Sequence, residues 1–314
     1  MSPSMFHPDE QLAQDLAGFD AVSGNIYTAM PDQHREFFAH LPYLFVATLD
    51  ERQWPVATVF SGPAGFLRSP DETHLRIVSP RRADDPAQAA LYPGQPVGAL
   101  GLDFSNRRRN RVNGVISRTD KNRVEIVVQQ SFGNCPQYIQ RRELFAEPSV
   151  ADPIEQLSSL DDQARQLIQQ ADTCFVASYA HGDLAQGGVD ISHRGGKPGF
   201  IHLAGETLWI PDFRGNRYMN TLGNLLVQPR AALLFIDFAR GDILHLQGET
   251  QILWQAENAA VAGAERYWRF DITSAWRFRQ TLGWRGRNVE FSPATLRTGV
   301  WLNHAVTSFN SRCC

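Results

Sequence analysis

Apolar residues along most of this chain recur at every second position or in short runs bounded by Gly, Pro, Asn and Asp. Val124, Ile126 and Val128 show the period of two, the spacing that puts alternate side chains on one face of a strand. Runs rich in β-branched and aromatic residues predict strands over 43–49, 56–60, 74–78, 97–104 and 111–116. They do so again over 174–179, 189–193, 200–203, 207–210, 231–238 and 243–254. Helical spacing is rarer. One predicted helix covers 31–40, with Phe37 and Phe38 as its apolar patch. Another begins near Leu160, where Ser159 and Asp162 resemble a capping box, and carries Ala164, Leu167 and Ile168. A third, over 216–227, places Met219, Leu222, Leu225 and Leu226 on one stripe, and the last runs from 256 to about 270.

The strand pattern occurs twice. Phe45-Val-Ala-Thr returns as Phe175-Val-Ala-Ser, Gly65-Phe66 as Gly199-Phe200, Asp103-Phe104 as Asp237-Phe238 and Gly114 as Gly248, always in the same order. Several matches in register imply a duplicated unit. Short strands with few helices, repeated in this way, fit two small antiparallel barrels or sandwiches. The helix near Leu160 marks the boundary, which predicts an N-terminal unit over 1–150 and a C-terminal unit over 151–314.

Composition narrows the function classes. The chain has 314 residues, 43% of them hydrophobic, enough to bury a core in each unit. With 30 Lys and Arg against 33 Asp and Glu, the formal charge is -3, so the totals show neither a nucleic-acid footprint nor a polybasic membrane patch. The basic cluster Asn106-Arg-Arg-Arg-Asn-Arg111 falls where a hairpin is expected to turn and reads as a solvated loop. No apolar run is long enough to span a bilayer and no signal peptide is evident, so the expected location is the cytoplasm. Cys135, Cys174, Cys313 and Cys314 form no C-x-x-C pair, and Cys313 and Cys314 read as a frayed tail. Dinucleotide-fold, P-loop, H-E-x-x-H and G-x-S-x-G motifs are all missing.

One segment carries candidate chemistry. Trp209-Ile-Pro-Asp-Phe-Arg-Gly-Asn-Arg-Tyr-Met-Asn-Thr-Leu-Gly-Asn-Leu-Leu runs from a strand through a glycine-containing loop into a helix. A loop feeding a helix N-terminus offers free N–H groups and positive dipole to a phosphate. Arg214 and Arg217 add charge-assisted donors, and Asn216, Asn220 and Thr221 neutral ones. The bland alternative is a solvated helix start with surface arginines. Aligning the copies sets Asn220 and Thr221 against Ala89 and Ala90, and puts the carboxylates of Asp84 and Asp85 in the corresponding loop. The first unit therefore reads as scaffold and the second as site. Nearby, Val189-Asp-Ile-Ser-His-Arg-Gly-Gly alternates apolar and polar residues and ends with Ser192, His193 and Arg194 placed to surround a polar ring and its phosphate. His193 is equally readable as a satisfied turn histidine.

Phe175-Val-Ala-Ser, Asp190-Ile-Ser-His-Arg-Gly, Ile210-Pro-Asp-Phe-Arg-Gly-Asn-Arg, Asn220-Thr-Leu and Asn224-Leu-Leu-Val-Gln-Pro-Arg resemble the pyridoxamine 5'-phosphate oxidase-like FMN-binding split-barrel proteins. The resemblance covers roughly 170–254, and 40–140 looks like a diverged relative of the same unit. It implies a mainly β (α+β) chain of two tandem antiparallel split β-barrels forming a pseudo-dimer, with peripheral helices and FMN in the groove between barrels. A true homodimer with two flavins is the alternative assembly. Carried over by position, Arg214, Asn216, Arg217, Asn220 and Thr221 would hold the phosphate. Ser192, His193, Arg194, Ile210, Pro211 and Asp212 would line the rest of the cofactor. The loop Phe132-Gly-Asn-Cys-Pro-Gln-Tyr-Ile is similar to one found in two-unit members, with Gln137 replacing their lysine, and would bring Asn134, Cys135 and Tyr138 over the ring.

The resemblance implies an FMN-dependent oxidoreductase acting on an unidentified small molecule, in which the cofactor supplies the redox chemistry. No catalytic acid or base stands out, no metal site is expected, and neither nucleic acid nor membrane is an expected partner. FAD, F420 and haem are alternative cofactors. A non-enzymatic flavin or haem storage protein is the rival function, with His193, His202 and His245 as candidate axial ligands for haem.

Overall fold

The computed structural model describes residues 6–301, except 20–21, 149, 181–187 and 255–259. The N-terminal unit opens with α1 (Pro8–Leu16) and α2 (Asp32–His40), followed by β1 (Tyr43–Leu49), β2 (Pro55–Ser61), β3 (Leu67–Arg68), β4 (His74–Val78), the short α3 (Pro86–Ala89), β5 (Pro96–Asp103), β6 (Arg108–Asp120) and β7 (Arg123–Gly133). After β8 (Arg141–Ala146) and β9 (Glu155–Leu157) the pattern restarts with α4 (Asp162–Gln170). It continues through β10 (Thr173–Ala180), β11 (Gly188–Gly195), β12 (His202–Ala204), β13 (Thr207–Phe213), α5 (Asn220–Val227), β14 (Arg230–Asp237), β15 (Asp242–Leu253) and β16 (Ala264–Phe278). The strand β17 (Trp284–Glu290) and α6 (Pro293–Leu296) complete the described chain.

The two main sheets use the same order of strands: β2-β1-β5-β6-β7-β4-β3 in one and β11-β10-β14-β15-β16-β13-β12 in the other. These are two tandem antiparallel split β-barrels paired as a pseudo-dimer, with helices at the periphery. The barrels meet back to back through one shared core, in which Phe45 of β1 stacks on Phe175 of β10 with ring centroids 3.7 Å apart. Leu100, Leu102, Ile191, Leu234 and Ile243 are buried in the same cluster. Where β5 crosses β11 the backbones approach so closely that a Cβ on Gly98 would lie 2.5 Å from the carbonyl oxygen of Val189. Glycine is required there by space. Outside the shared core each barrel has its own: Val46, Leu75, Val112 and Ile126 in the first, and Val176, Leu208, Leu246 and Trp268 in the second. The connection β8 pairs with β17 and ties the two units together at their edge.

Four local expectations are corrected. Residues 264–278, expected to begin as the end of a helix, form β16, in which Tyr267, Trp268 and Phe270 are fully buried between β13 and β15. Aromatic crowding favours the pleated sheet over a helix there. The capping residue of α4 is Asp161, which accepts from the Ala164 amide, in place of Ser159. The helix predicted from 216 starts at Asn220, because Arg217 and Met219 adopt left-handed backbone at φ 67° and 61°. The basic cluster at 106–111 is only partly a turn: from Arg108 onward it is strand β6, and Arg111 is buried. Cys313 and Cys314 lie outside the described residues, and no described helix is long and apolar enough to cross a membrane.

Candidate functional site

The site grows from the alternation along two strand ends that belong to different units. On β11, Asp190, Ser192 and Arg194 share one face, and on β6, Arg109, Arg111 and Asn113 face them. Arg111 donates to Asp190 at 2.8 Å and to Ser192 Oγ at 2.5 Å, while Asn113 donates to Asp190 at 2.8 Å. Asn224 of α5 also donates to Asp190, at 3.3 Å. The buried Arg111–Asp190 pair has side chains 3% and 9% exposed. It therefore welds the two units at the floor of a groove instead of offering free charge to solvent.

The groove continues from this floor to the end of β13 and the start of α5. Asp212 accepts from Arg266 at 2.7 Å and lies 3.3 Å from Arg194. The loop after β7 forms the opposite wall. Tyr138, at a left-handed φ of 62°, packs against Phe213 with centroids 5.4 Å apart, and its hydroxyl donates to the carbonyl of Arg214. A cavity of about 90 Å³ remains, bordered by Ser192, His193, Arg194, Pro211 and Asp212 from the strands, by Asn216, Arg217, Asn220 and Thr221 from the loop and helix, and by Asn134, Cys135 and Tyr138.

The first turn of α5 faces this cavity. Its N-cap, Met219, is left-handed and provides no side-chain cap, so the leading amides are available to a ligand. The N-terminal arm braces the same turn. Glu10 of α1 accepts from Asn220 and from the His7 amide, Gln14 donates to the carbonyl of Tyr218, and Arg217 lies 4.6 Å above the ring of Phe19. Burial pushes the Glu10 carboxyl up to about 8, with the nearby Asp190 charge as the second cause.

The equivalent place in the N-terminal unit is filled. Asp85 caps α3 by accepting from the amides of Ala87 and Gln88, and also accepts from Thr58 Oγ1 and Gln88 Nε2. Thr58 pairs with Val46 as Ser192 pairs with Val176, so Asp85 occupies the counterpart of the α5 seat. Its carboxyl is driven up to about 6 by burial. The asymmetry expected from the sequence is physical: a built-in carboxylate satisfies one helix N-terminus and leaves the other open.

Two of the residues expected at the site are not there. Ile210 is wholly buried in the C-terminal core, because the alternation along β13 turns it inward while Trp209 and Pro211 face elsewhere. Arg214 is exposed, and it is its carbonyl that is engaged, by Tyr138. Missed were Arg109 and Arg111, hidden in the basic cluster, and Phe19, Glu265 and Arg266, which also border the cavity. A strand extended to Arg108 would have exposed the Arg109, Arg111, Asn113 alternation. Of the histidines considered as ligands, only His193 borders the cavity. His245 is buried against Trp276 and pushed down to about 3 by burial, and His202 is half-buried beside Trp301. Cys174 is buried in the core, its thiol pushed up to about 12. Among the described residues no cluster of metal-ligating side chains occurs.

The match to a known family falls on the same half of the chain. Residues 160–278 match the family model for pyridoxamine 5'-phosphate oxidase. The chain carries a pyridoxamine 5'-phosphate oxidase-like unit. This pyridoxamine 5'-phosphate oxidase-like segment extends from α4 to the end of β16 and so contains β11, the β13 end and α5. Among solved structures, a HupZ variant from Group A Streptococcus is 13% identical, covering 37% of this chain and 98% of its own, with a TM-score of 0.30. A FAD-binding protein from Mesorhizobium loti is 12% identical, with coverages of 40% and 97% and a TM-score of 0.28. HutZ, the haem storage protein of Vibrio cholerae, is 13% identical, with coverages of 43% and 99% and a TM-score of 0.24. No curated protein sequence matches the chain.

Proposed function

We propose that the groove binds one FMN per chain and that the protein is an FMN-dependent oxidoreductase of the pyridoxamine 5'-phosphate oxidase-like group, acting on a small molecule. The observation that carries this reading is the uncapped first turn of α5, flanked by Asn216, Arg217 and Thr221, set against its counterpart already capped by Asp85. Those residues would hold the phosphate through amide and guanidinium donors. Ser192, Arg194, Pro211 and Asp212 would line the remainder of the cofactor. FMN, once bound, would supply hydride acceptance and onward passage of electrons.

The chain's own contribution is placement. Arg111, Asn113 and Asn224 hold Asp190 fixed beneath the groove, and Arg266 holds Asp212. Tyr138 and Phe213 close one side with apolar surface, which excludes water from that wall. Both walls come from one polypeptide, which supports a site built within a single chain.

The test is spectroscopic. Purified protein titrated with FMN should develop a perturbed flavin spectrum and quench its fluorescence at one equivalent per chain; a protein that stays colourless after FMN is added rules the reading out. FAD and F420 tested in parallel decide which phosphorus-bearing side chain the α5 seat prefers. A haem-binding reading has one observation in its favour: both ring nitrogens of buried His193 lack a partner among the described residues, and burial together with Arg109, Arg142 and Arg194 holds the ring neutral, well below its ordinary pKa. An intense Soret band on adding hemin, absent in His193→Ala, would select it.

A further inference from the structure

The N-terminal arm belongs by chain order to the first unit, yet the element α1 packs against is α5 of the second. The arm's contacts fall on the turn that leads into α5. Phe19 covers the guanidinium of Arg217 at 4.6 Å, and Phe6 meets the ring of Tyr218 edge-on with centroids 5.2 Å apart. Gln14 donates to the Tyr218 carbonyl at 3.2 Å, and Glu10 accepts from Asn220. Gly24 passes so close to the Tyr218 ring that a side chain there would collide with it. Only beyond these contacts is the arm tied to its own unit, where Tyr27 and Ser131 of β7 exchange backbone hydrogen bonds of 2.9 and 2.8 Å. Phe6 to Phe19 thus hang from a fixed point and lie across the turn. Arg217 and Asn220, which the arm holds, also border the cavity, as does Phe19 itself.

Between its aromatic ends this interface is polar. The buried residues of α1 are Glu10, Ala13 and Gln14, while Leu12 and Leu16 point outward, 48% and 50% exposed. Water replaces such polar contacts at small net cost, and a helix of nine residues does not persist alone. The arm is therefore a two-state element, either docked and helical or released and unravelled. We infer that the arm is a latch on the cofactor seat: its release from α5 is the step that admits FMN and lets it go, and its docking locks the turn around the phosphate. The identity of the ligand rests on the flavin reading; the opening of the arm does not. The latch carries its own trigger in Glu10, whose carboxyl is pushed up to about 8 by burial and then by the Asp190 charge. Asp190 of β11 and Arg111 of β6 are the charges that reach it, α5 presents no titratable side chain, and within the arm His7 lies 3.0 Å from Asp9. Ionisation sets a second buried negative charge against Asp190, so the latch loosens as pH rises through that value.

A latch has a kinetic signature. Association and dissociation both scale with the fraction of time the arm is open, so they change together while affinity stays constant. A mere buttress would slow release alone. In full-length protein, FMN association is read by stopped-flow quenching of flavin fluorescence, dissociation by its recovery on dilution, and arm opening by hydrogen exchange of the α1 amides. Gln14→Ala removes a contact from the arm, and Gly223→Ala crowds the arm from α5. Each should raise both rates by a common factor of about three to ten, the worth of one ordinary hydrogen bond. Kd should change less than about twofold, and α1 exchange should rise with the rates. Both wild-type rates should climb from pH 7 to pH 9, and those of Glu10→Gln should stay level. Faster dissociation with unchanged association, or faster α1 exchange with neither rate altered, overturns the proposal. So does an α1 whose exchange neither variant accelerates, or a pH response as large in Glu10→Gln as in wild type. If wild type binds no FMN the flavin reading fails, and the same two rates measured with FAD, F420 or hemin then decide the latch; binding of none of these overturns both.

Discussion

Asp85 and the open turn of α5 show how a single carboxylate decides whether a helix N-terminus is structure or site. In α3 the carboxylate takes both leading amides; at α5 the donors have only Glu10, and that carboxyl bonds the Asn220 side chain, leaving the helix amides alone. Arg217→Met removes a charge-assisted donor of the kind worth about 1.5–3 kcal/mol, so FMN affinity should fall roughly 10- to 150-fold, measured by flavin fluorescence quenching. Glu10 itself adds a pH dependence. Its folded pKa of about 8 stands above the ordinary carboxyl value because burial and the Asp190 charge oppose ionisation, although Arg111, His7 and Asn220 favour it. The folded state therefore holds a proton that the unfolded chain has released. The stabilisation is complete below pH 4.5 and is lost as pH rises toward 8. In Glu10→Gln that decline should vanish; thermal melts between pH 5 and 9 that fall equally in both proteins would contradict it.

At the scale of elements, α1 and α5 act together. A Cβ on Gly223 would meet the backbone nitrogen and Cα of Glu10 at 2.8 Å, so α1 lies directly on α5. Gly223→Ala gains up to about 1 kcal/mol of helix propensity but loses about 1–3 kcal/mol to overpacking against backbone, and the second effect should win. The expected result is an α1 released from α5, with chymotryptic cleavage after Leu12, Leu16 or Phe19 accelerated several-fold and FMN retention weakened. The α5 stripe of Leu222 and Leu225 was legible in sequence because a helix repeats locally. Its true start was not, since the left-handed turns at Arg217 and Met219 are held by tertiary contacts to Phe19 and α1. Nor was α1 itself, whose capping box is formed by His7 and Glu10. The strand β16 was misread because its neighbours β13 and β15 are remote in sequence, and only pairing with both reveals where Tyr267, Trp268 and Phe270 go.

For the whole molecule, the repeated words Phe45-Val-Ala and Phe175-Val-Ala turned out to be the strands that stack across the shared core, so the repeat announced the architecture. What it concealed was the exchange of functional residues between units, because contacts such as Arg111 to Asp190 have no sequence periodicity to betray them. That pair tests whether the two barrels behave as one body. Removing one partner from a buried ion pair strands the other charge and costs about 3–5 kcal/mol, whereas removing both can be nearly neutral. Arg111→Met alone should therefore unfold at lower denaturant and lose the groove floor. Asp190→Asn alone should do comparable damage, since it strands the Arg111 charge and replaces one of the two accepting oxygens with an NH2 that faces a donor. The double variant should recover much of the Arg111→Met loss, giving a coupling energy in the cycle of at least about 1 kcal/mol. Additive losses would mean that the units hold together through Phe45, Phe175 and the Gly98 crossing alone, with the polar ladder as a passenger.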